Sequence, residues 1–224
     1  MRHRCADVAT HERILDAAER VFAAHGFAGA SLRQITQAAS VNLAAANYHF
    51  GSKEALYLEV VRRRVRPINA ARLARLEAAL AEAGDSPPPL AQLVDMLVRP
   101  VFEAHQDPAR GGPHTVRIIT RTFGEPLPFM QELIVEEFHS VLARFAQALR
   151  RHVPQLPPEE FLWRMSFVVG AMQHTLATID RMSGLTRGIC RDNDYEGAIA
   201  RFTTSAVAVL TQPASSATLA APTS

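Results

Sequence analysis

Lysine is almost missing from this chain, with Lys53 standing alone among 24 basic residues. Cysteine is nearly as scarce: Cys5 and Cys190 are the whole supply, which excludes a disulfide-stapled scaffold and a cysteine metal quartet. No apolar run approaches the roughly 18–20 residues that span a bilayer, and the Met1-Arg-His-Arg4 start leads into no apolar leader. A cytoplasmic protein with no membrane partner is the expectation. The nine histidines show no ligand spacing, and His105, His114 and His139 are too scattered to argue a site, so no metal is expected. A phosphate loop, a nucleophile elbow and facing carboxylates are all absent too. Glu136-Glu137 and Glu159-Glu160 are chain neighbours, and adjacent residues on a helix do not converge on one reacting centre. Neither an enzyme nor a cofactor is expected; an all-α enzyme is the remote alternative.

What is present is a chain of 224 residues, 48% hydrophobic and 21% charged, able to bury a real core. The net charge of +2 is unevenly placed. Residues 1–66 hold ten Lys/Arg against six Asp/Glu, and the remainder fourteen against sixteen. A basic first third and a mildly acidic rest suggest division of labour.

Apolar spacing is helical nearly everywhere, and strand-like alternation is almost absent. Ile14, Leu15, Ala18, Val21 and Phe22 line one face of a helix over 10–25 that Gly26 ends. Ser31-Leu-Arg-Gln34 reads as a capping box opening a second helix to about residue 39. Asn42 can cap and Gly51 can stop a third helix of about two turns. So short a helix is unstable alone, and its surroundings must hold it. A long fourth helix over 53–83 contains Pro67, which should bend it. Further helices are expected over 90–105, 114–123, 127–152, 157–182 and 195–210, separated by Pro- and Gly-rich breaks. The Ala/Ser/Thr/Pro stretch from residue 212 is expected to be disordered.

Helices two and three, joined by three residues, make a helix-turn-helix candidate. The third helix offers small residues (Ala44, Ala45, Ala46) where a backbone can approach closely, then a polar and aromatic cluster at Asn47, Tyr48 and His49. That composition suits a major-groove reader better than a core helix. Asn47 can pair with adenine through its amide, and Ala44 or Ala45 can touch a thymine methyl. Asn42 and Leu43 sit at the exposed start of the reader, with packing the competing role for Leu43. Phe22, Phe27, Leu32, Ile35, Val41 and Phe50 are expected to brace it from beneath.

Ile14-Leu-Asp-Ala-Ala-Glu-Arg-Val-Phe22, His25-Gly-Phe27, Ser31-Leu-Arg-Gln-Ile35 and Asn47-Tyr-His-Phe-Gly-Ser-Lys-Glu-Ala-Leu56 together resemble the TetR/AcrR family of one-component transcriptional regulators. The resemblance covers about residues 11–60. Within it, residues 41–50 look most like the fatty-acid-responsive branch containing PsrA.

The resemblance implies an all-α fold: an N-terminal three-helix helix-turn-helix domain joined by a long helix to a C-terminal helical ligand-binding and dimerisation bundle. The boundaries expected are 8–56 for the DNA-binding domain, 57–211 for the bundle and 212–224 for the tail. It further implies a homodimeric repressor on a palindromic double-stranded DNA operator, released by a small effector. An effector-independent DNA-binding dimer is the alternative. Arg33 matches a family position that reaches a base or phosphate, and a guanidinium can bond guanine bidentately. Tyr48, His49 and Lys53 match positions that grip phosphate. Ser31 offers a backbone N–H at a helix start. Lys53 in a first helical turn opposes the macrodipole, a conflict that a phosphate would resolve. Arg62-Arg-Arg64 and Arg66 read either as a long-range attraction for DNA or as a solvated helix face.

In the bundle, pockets between helices are usually apolar with few polar groups. Phe102, Arg117, Arg121, Phe129, Phe167, Gln173 and His174 are the candidates to line one, suiting an amphipathic anion such as a fatty acid or acyl thioester. Helices 161–182 and 195–210 are the expected dimer face. Cys190 reads as a redox handle or, more simply, as a bystander thiol.

Overall fold

The computed structural model describes residues 2–124 and 127–213, without the side chains of residues 2–6, 110 and 122–124. The expected disordered tail lies, from residue 214, outside the described residues. Among the described residues every regular element is helical.

α1 spans Arg2–Gly29, beginning well before the expected start, and breaks at Gly26 (φ 70°, ψ 178°), a backbone setting that only glycine adopts without strain. α2 covers Leu32–Ala38 and α3 Leu43–Phe50. α4 runs from Lys53–Ala83 and continues through Pro67 as one element. α5 is Leu90–Gln106, α6 Pro113–Gly124 and α7 Met130–Arg150. α8, Pro158–Thr178, stops short of the expected 182: a 3-10 turn over Ile179–Arg181 and the single turn α9, Met182–Leu185, replace its last stretch. α10 is Tyr195–Thr211.

Packing divides the chain into two compact units whose seams cut through helices. One unit comprises 1–69 with 104–139; the other comprises 70–103 with 140–224. α4, α5 and α7 each contribute to both.

The first unit closes on Ile14, Leu15, Ala18 and Phe22 of α1, Ile35 of α2, Ala46 and Phe50 of α3, and Leu56, Tyr57, Val60 and Val61 of α4, all buried. Phe27, Leu32 and Val41, expected beneath the reader, are only half-buried. Each large side chain so removed from water contributes about 1.5–3 kcal/mol. Tyr57 meets Phe22 and Phe27 edge-on at 4.9 and 5.3 Å, and Phe129 completes the aromatic cluster 4.9 Å from Phe27.

The second unit buries Leu76, Leu93, Leu97, Phe102, Phe145, Phe161, Met172, Ile199 and Phe202. Two arginines are buried with them. Arg72 donates through Nε to the Leu97 carbonyl at 2.7 Å, and burial pushes its guanidinium down to about 10, still cationic at neutral pH. Arg164 pairs with Glu160 at 2.8 Å and donates to the carbonyls of Val209 and Leu210 at 3.0 and 3.1 Å and to that of Gln212. Those carbonyls lie in the last turn of α10 and just past it, where intrahelical donors run out. One α8 side chain thus caps α10.

Candidate nucleic-acid interface

The interface is assembled from local chemistry first. Ser31 and Gln34 form the expected capping box: the Gln34 N–H donates to Ser31 Oγ at 3.2 Å and the Ser31 N–H to Gln34 Oε1 at 2.9 Å. The second bond occupies the backbone donor that sequence reasoning had offered to a phosphate. α2 then ends in a Schellman turn, with Ser40 N–H to Gln37 O at 3.1 Å and Val41 N–H to Thr36 O at 3.0 Å. Ser40 holds the left-handed position, φ 53°, where glycine is customary. Asn42 caps α3 by accepting from Ala45 N–H at 2.8 Å, and Gly51 closes it at φ 75°.

α3 buries Ala46 and Phe50 and turns the other side outward. Leu43 is 39% exposed and Tyr48 79%, with Ala44 and Asn47 exposed and Ala45 half-buried between them. Arg33, on α2, is exposed as well and has no ion pair among the described residues. These side chains are brought onto the outward side of two adjacent short helices.

Lys53 and His49 are placed differently. Lys53 Nζ donates to the carbonyls of Phe27 and Ala30, both at 3.1 Å, and lies 4.2 Å from the Phe27 ring centroid. Its ammonium terminates the turn that follows the α1 break. The macrodipole conflict is met by these carbonyls, leaving one of three N–H donors for anything else. The His49 side chain is 9% exposed and faces α1, with Nε2 3.4 Å from Asp7 Oδ1 and its ring edge-on to His11 at 5.8 Å.

Arg62, Arg63, Arg64 and Arg66 of α4 are all drawn into ion pairs, with Arg66 still exposed. Arg62 bonds Glu59 and Glu136 at 2.9 Å; Arg63 meets Glu12 at 3.4 Å and Asp16 at 2.7 Å. Arg64 pairs with the buried Glu19, and Arg66 reaches Glu137 at 2.8 Å. Asn69 adds a bond to the Glu137 carbonyl at 2.6 Å. They tie α4 to α1 on one side and to α7 on the other. A signal for this existed: Glu12, Asp16 and Glu19 fall at helical spacing on one face of α1, as Arg62 and Arg66 do on α4. The Gly111-Gly112 turn before α6 closes over one of these pairs, since a Cβ at Gly111 would stand 2.6 Å from Glu19 Oε1 and 2.8 Å from Arg64 Cζ.

The effector candidates are divided between the two units along the chain. Phe129 packs on Phe27, Arg117 is exposed and Arg121 half-buried, all within the first unit. Phe102 is buried in the second unit, where Gln173 is half-buried, His174 exposed, and Phe167 59% exposed on the outside of α8. Cys190 is exposed. No cluster of three or more metal-ligating side chains is found among the described residues, and no described helix is long and apolar enough to cross a membrane.

Two family profiles match the sequence: residues 14–60 match "Bacterial regulatory proteins, tetR family", and residues 95–208 match "Tetracyclin repressor-like, C-terminal domain". A segment of 53 residues is 51% identical to the HTH-type transcriptional regulatory protein RaaS of Mycobacterium tuberculosis, covering 24% of each chain. Another of 55 residues is 40% identical to the HTH-type transcriptional repressor AcnR of Corynebacterium efficiens, covering 25% of this chain and 29% of that one. The chain thus spans about a quarter of the length of these curated relatives. Solved structures align almost throughout. A putative TetR family regulator from Shewanella sp. PV-4 aligns at TM-score 0.59 and 17% identity, over 88% of this chain and 97% of that one. PfmR, a TetR family regulator from Thermus thermophilus, aligns at 0.57 and 19%, over 91% and 100%. With a three-helix reader built as described and matched profiles over both parts of the sequence, the chain belongs to the TetR family of bacterial transcriptional regulators.

Proposed function

We propose that this regulator is a homodimeric repressor that binds a palindromic operator through α2 and α3 and releases it on binding a small, lipophilic effector. The observation that carries the reading is the two-sidedness of α3: Ala46 and Phe50 anchor it, while Leu43, Ala44, Asn47 and Tyr48 face outward with Arg33 beside them. Two such helices enter successive major grooves one helical turn apart, roughly 34 Å. Arg33 and Asn47 read base edges, Ala44, Ala45 and Leu43 supply apolar contacts, and Tyr48 donates to phosphate. Repression is the sign carried by the name of the AcnR relative.

The second copy docks on α8 and α10. Leu162, Trp163 and Phe167 of α8 are 64%, 55% and 59% exposed, and Val209 of α10 is 37% exposed. Isolated exposed apolar residues are ordinary, whereas a grouped set of this size marks an interaction face. The fatty-acid-responsive wording of α3 makes fatty acids and acyl thioesters the first effectors to try.

Selection of binding sites from a random duplex library tests the DNA reading. A two-fold symmetric site bound by two protomers is expected; no preference over non-specific duplex sinks it. Trp163→Asp should give monomers by sedimentation, and an unchanged dimer would move the interface elsewhere. Screening lipids by operator release tests the effector. An effector-independent dimer stays as the second reading, and it gains if no ligand class weakens operator binding.

A further inference from the structure

α8 buries Phe161, Val168, Met172 and Leu176 on one side. Its other side shows an exposed row at helical spacing: Glu159, Trp163, Phe167, Gly170, His174 and Ala177, which Arg181 of the following 3-10 turn extends. The row lies wholly within the second unit and covers about six turns. Trp163 and Phe167 are 55% and 59% exposed, with ring centroids 6.1 Å apart.

Gly170 stands at its midpoint. No positive φ requires glycine there, and a Cβ would meet nothing within 4 Å. Packing inside the protomer does not demand this glycine, which weakens a helix interior relative to alanine. The residues on either side of it match each other end for end. Reversed about Gly170, the row sets Glu159 opposite Arg181, Trp163 opposite Ala177, Ser166 opposite His174, and Gly170 opposite itself. Acid meets base at both ends, and a large ring meets a small side chain. Among the described residues neither Glu159 nor Arg181 forms an ion pair. A register shifted by three residues would bring Phe167 onto Gly170 but leave Glu159 facing Thr178.

Resting on the dimer reading above, we propose that two copies of this chain pair through antiparallel α8 helices whose two-fold axis passes through Gly170. The missing side chain lets the two backbones approach, and the Glu159–Arg181 pairs set the register. A two-fold interface uses the same patch on both subunits, so each of these contacts is made twice. The helices cross at a shallow angle, about 20°, because contact runs along the whole row.

Sedimentation equilibrium of the full chain and its variants tests the arrangement. Gly170→Leu places its side chain in space that is open within the protomer, so helicity by circular dichroism should hold. The dimer dissociation constant should nevertheless rise by about tenfold or more. Glu159→Arg and Arg181→Glu should each raise it about three- to tenfold, and the double variant should restore it. With Cys5 and Cys190 replaced by serine, Gly170→Cys should form an intermolecular disulfide on mild oxidation, since facing positions bring Cα atoms within about 7 Å. Ser166→Cys, about 12 Å along the helix from its own mate, should not. A dimer that Trp163→Asp dissociates but Gly170→Leu leaves unchanged overturns the axis while the dimer reading stands. Charge reversals that the double variant fails to restore, or cross-linking at Ser166 in place of Gly170, overturn the register. An unaltered protein that sediments as a monomer at every concentration defeats the dimer reading itself.

Discussion

Replacing Lys53 with methionine separates the two roles open to its ammonium. Methionine keeps the apolar stem over Phe27 and removes the charge that bonds the Phe27 and Ala30 carbonyls at 3.1 Å. Hydrogen bonds from a charged group are worth about 1.5–3 kcal/mol each, and the partial exposure here favours the lower end. The contact with the Phe27 ring adds about 0.5–1 kcal/mol. Freed side-chain entropy returns up to about 2 kcal/mol. The expected net loss is about 2 kcal/mol of stability, or roughly 4–8 °C in Tm for a chain of this size. A phosphate ligand behaves otherwise. Each lost phosphate contact flattens the slope of log affinity against log salt by about 0.9, so a dimer would lose about 1.8. Urea unfolding and operator titration from 50 to 300 mM salt measure both quantities on one protein. Lower stability with an unchanged salt slope is the expected result. Full stability with a slope flattened by about 1.8 would refute the capping role.

Three further substitutions test the packing. Ser40→Gly relieves the left-handed residue of the Schellman turn and should raise stability by about 0.5–1 kcal/mol in urea melts, with operator affinity unchanged; a loss would show that the Ser40 side chain matters. Gly111→Ala drives a Cβ to 2.6 Å from Glu19 Oε1 at φ 89°, so a loss of about 2–4 kcal/mol is expected, and a neutral outcome would mean that the turn over the Glu19–Arg64 pair yields freely. Arg164→Met uncaps α10 and strands Glu160, which should cost about 3–5 kcal/mol; fast amide exchange confined to the end of α10 would accompany it, and unchanged protection there would contradict the capping role.

The elements of the reader were legible because their determinants are local. Ser31 finds Gln34 three residues on, Asn42 finds the Ala45 N–H, and Gly26 and Gly51 adopt positive φ where the helices must stop. What sequence reasoning missed depends on partners brought from afar. Lys53 meets carbonyls more than twenty residues earlier, Arg62 and Arg66 meet glutamates about seventy residues later, and His49 turns back to Asp7. A basic residue near a DNA-reading helix invites a phosphate on paper, and nothing local reveals that a carbonyl or carboxylate has been folded onto it first. The early end of α8 was hidden for a related reason. Its break at Thr178 and Arg181 contains no glycine or proline to announce it.

The arginines of α4 also bear on how such regulators can be recombined. Arg62, Arg63, Arg64 and Arg66 fall in the interval between the two matched profiles, while most of their acidic partners, among them Glu19, Glu136 and Glu137, lie within those profiles. A hybrid that grafts this reader onto a foreign effector bundle, joined anywhere between residues 67 and 94, keeps the guanidinium groups and loses the α7 glutamates. Such a hybrid would inherit a reader with half its clamps open. Transplanting residues 104–139 along with it restores the missing acids, making that non-contiguous segment the natural unit of exchange.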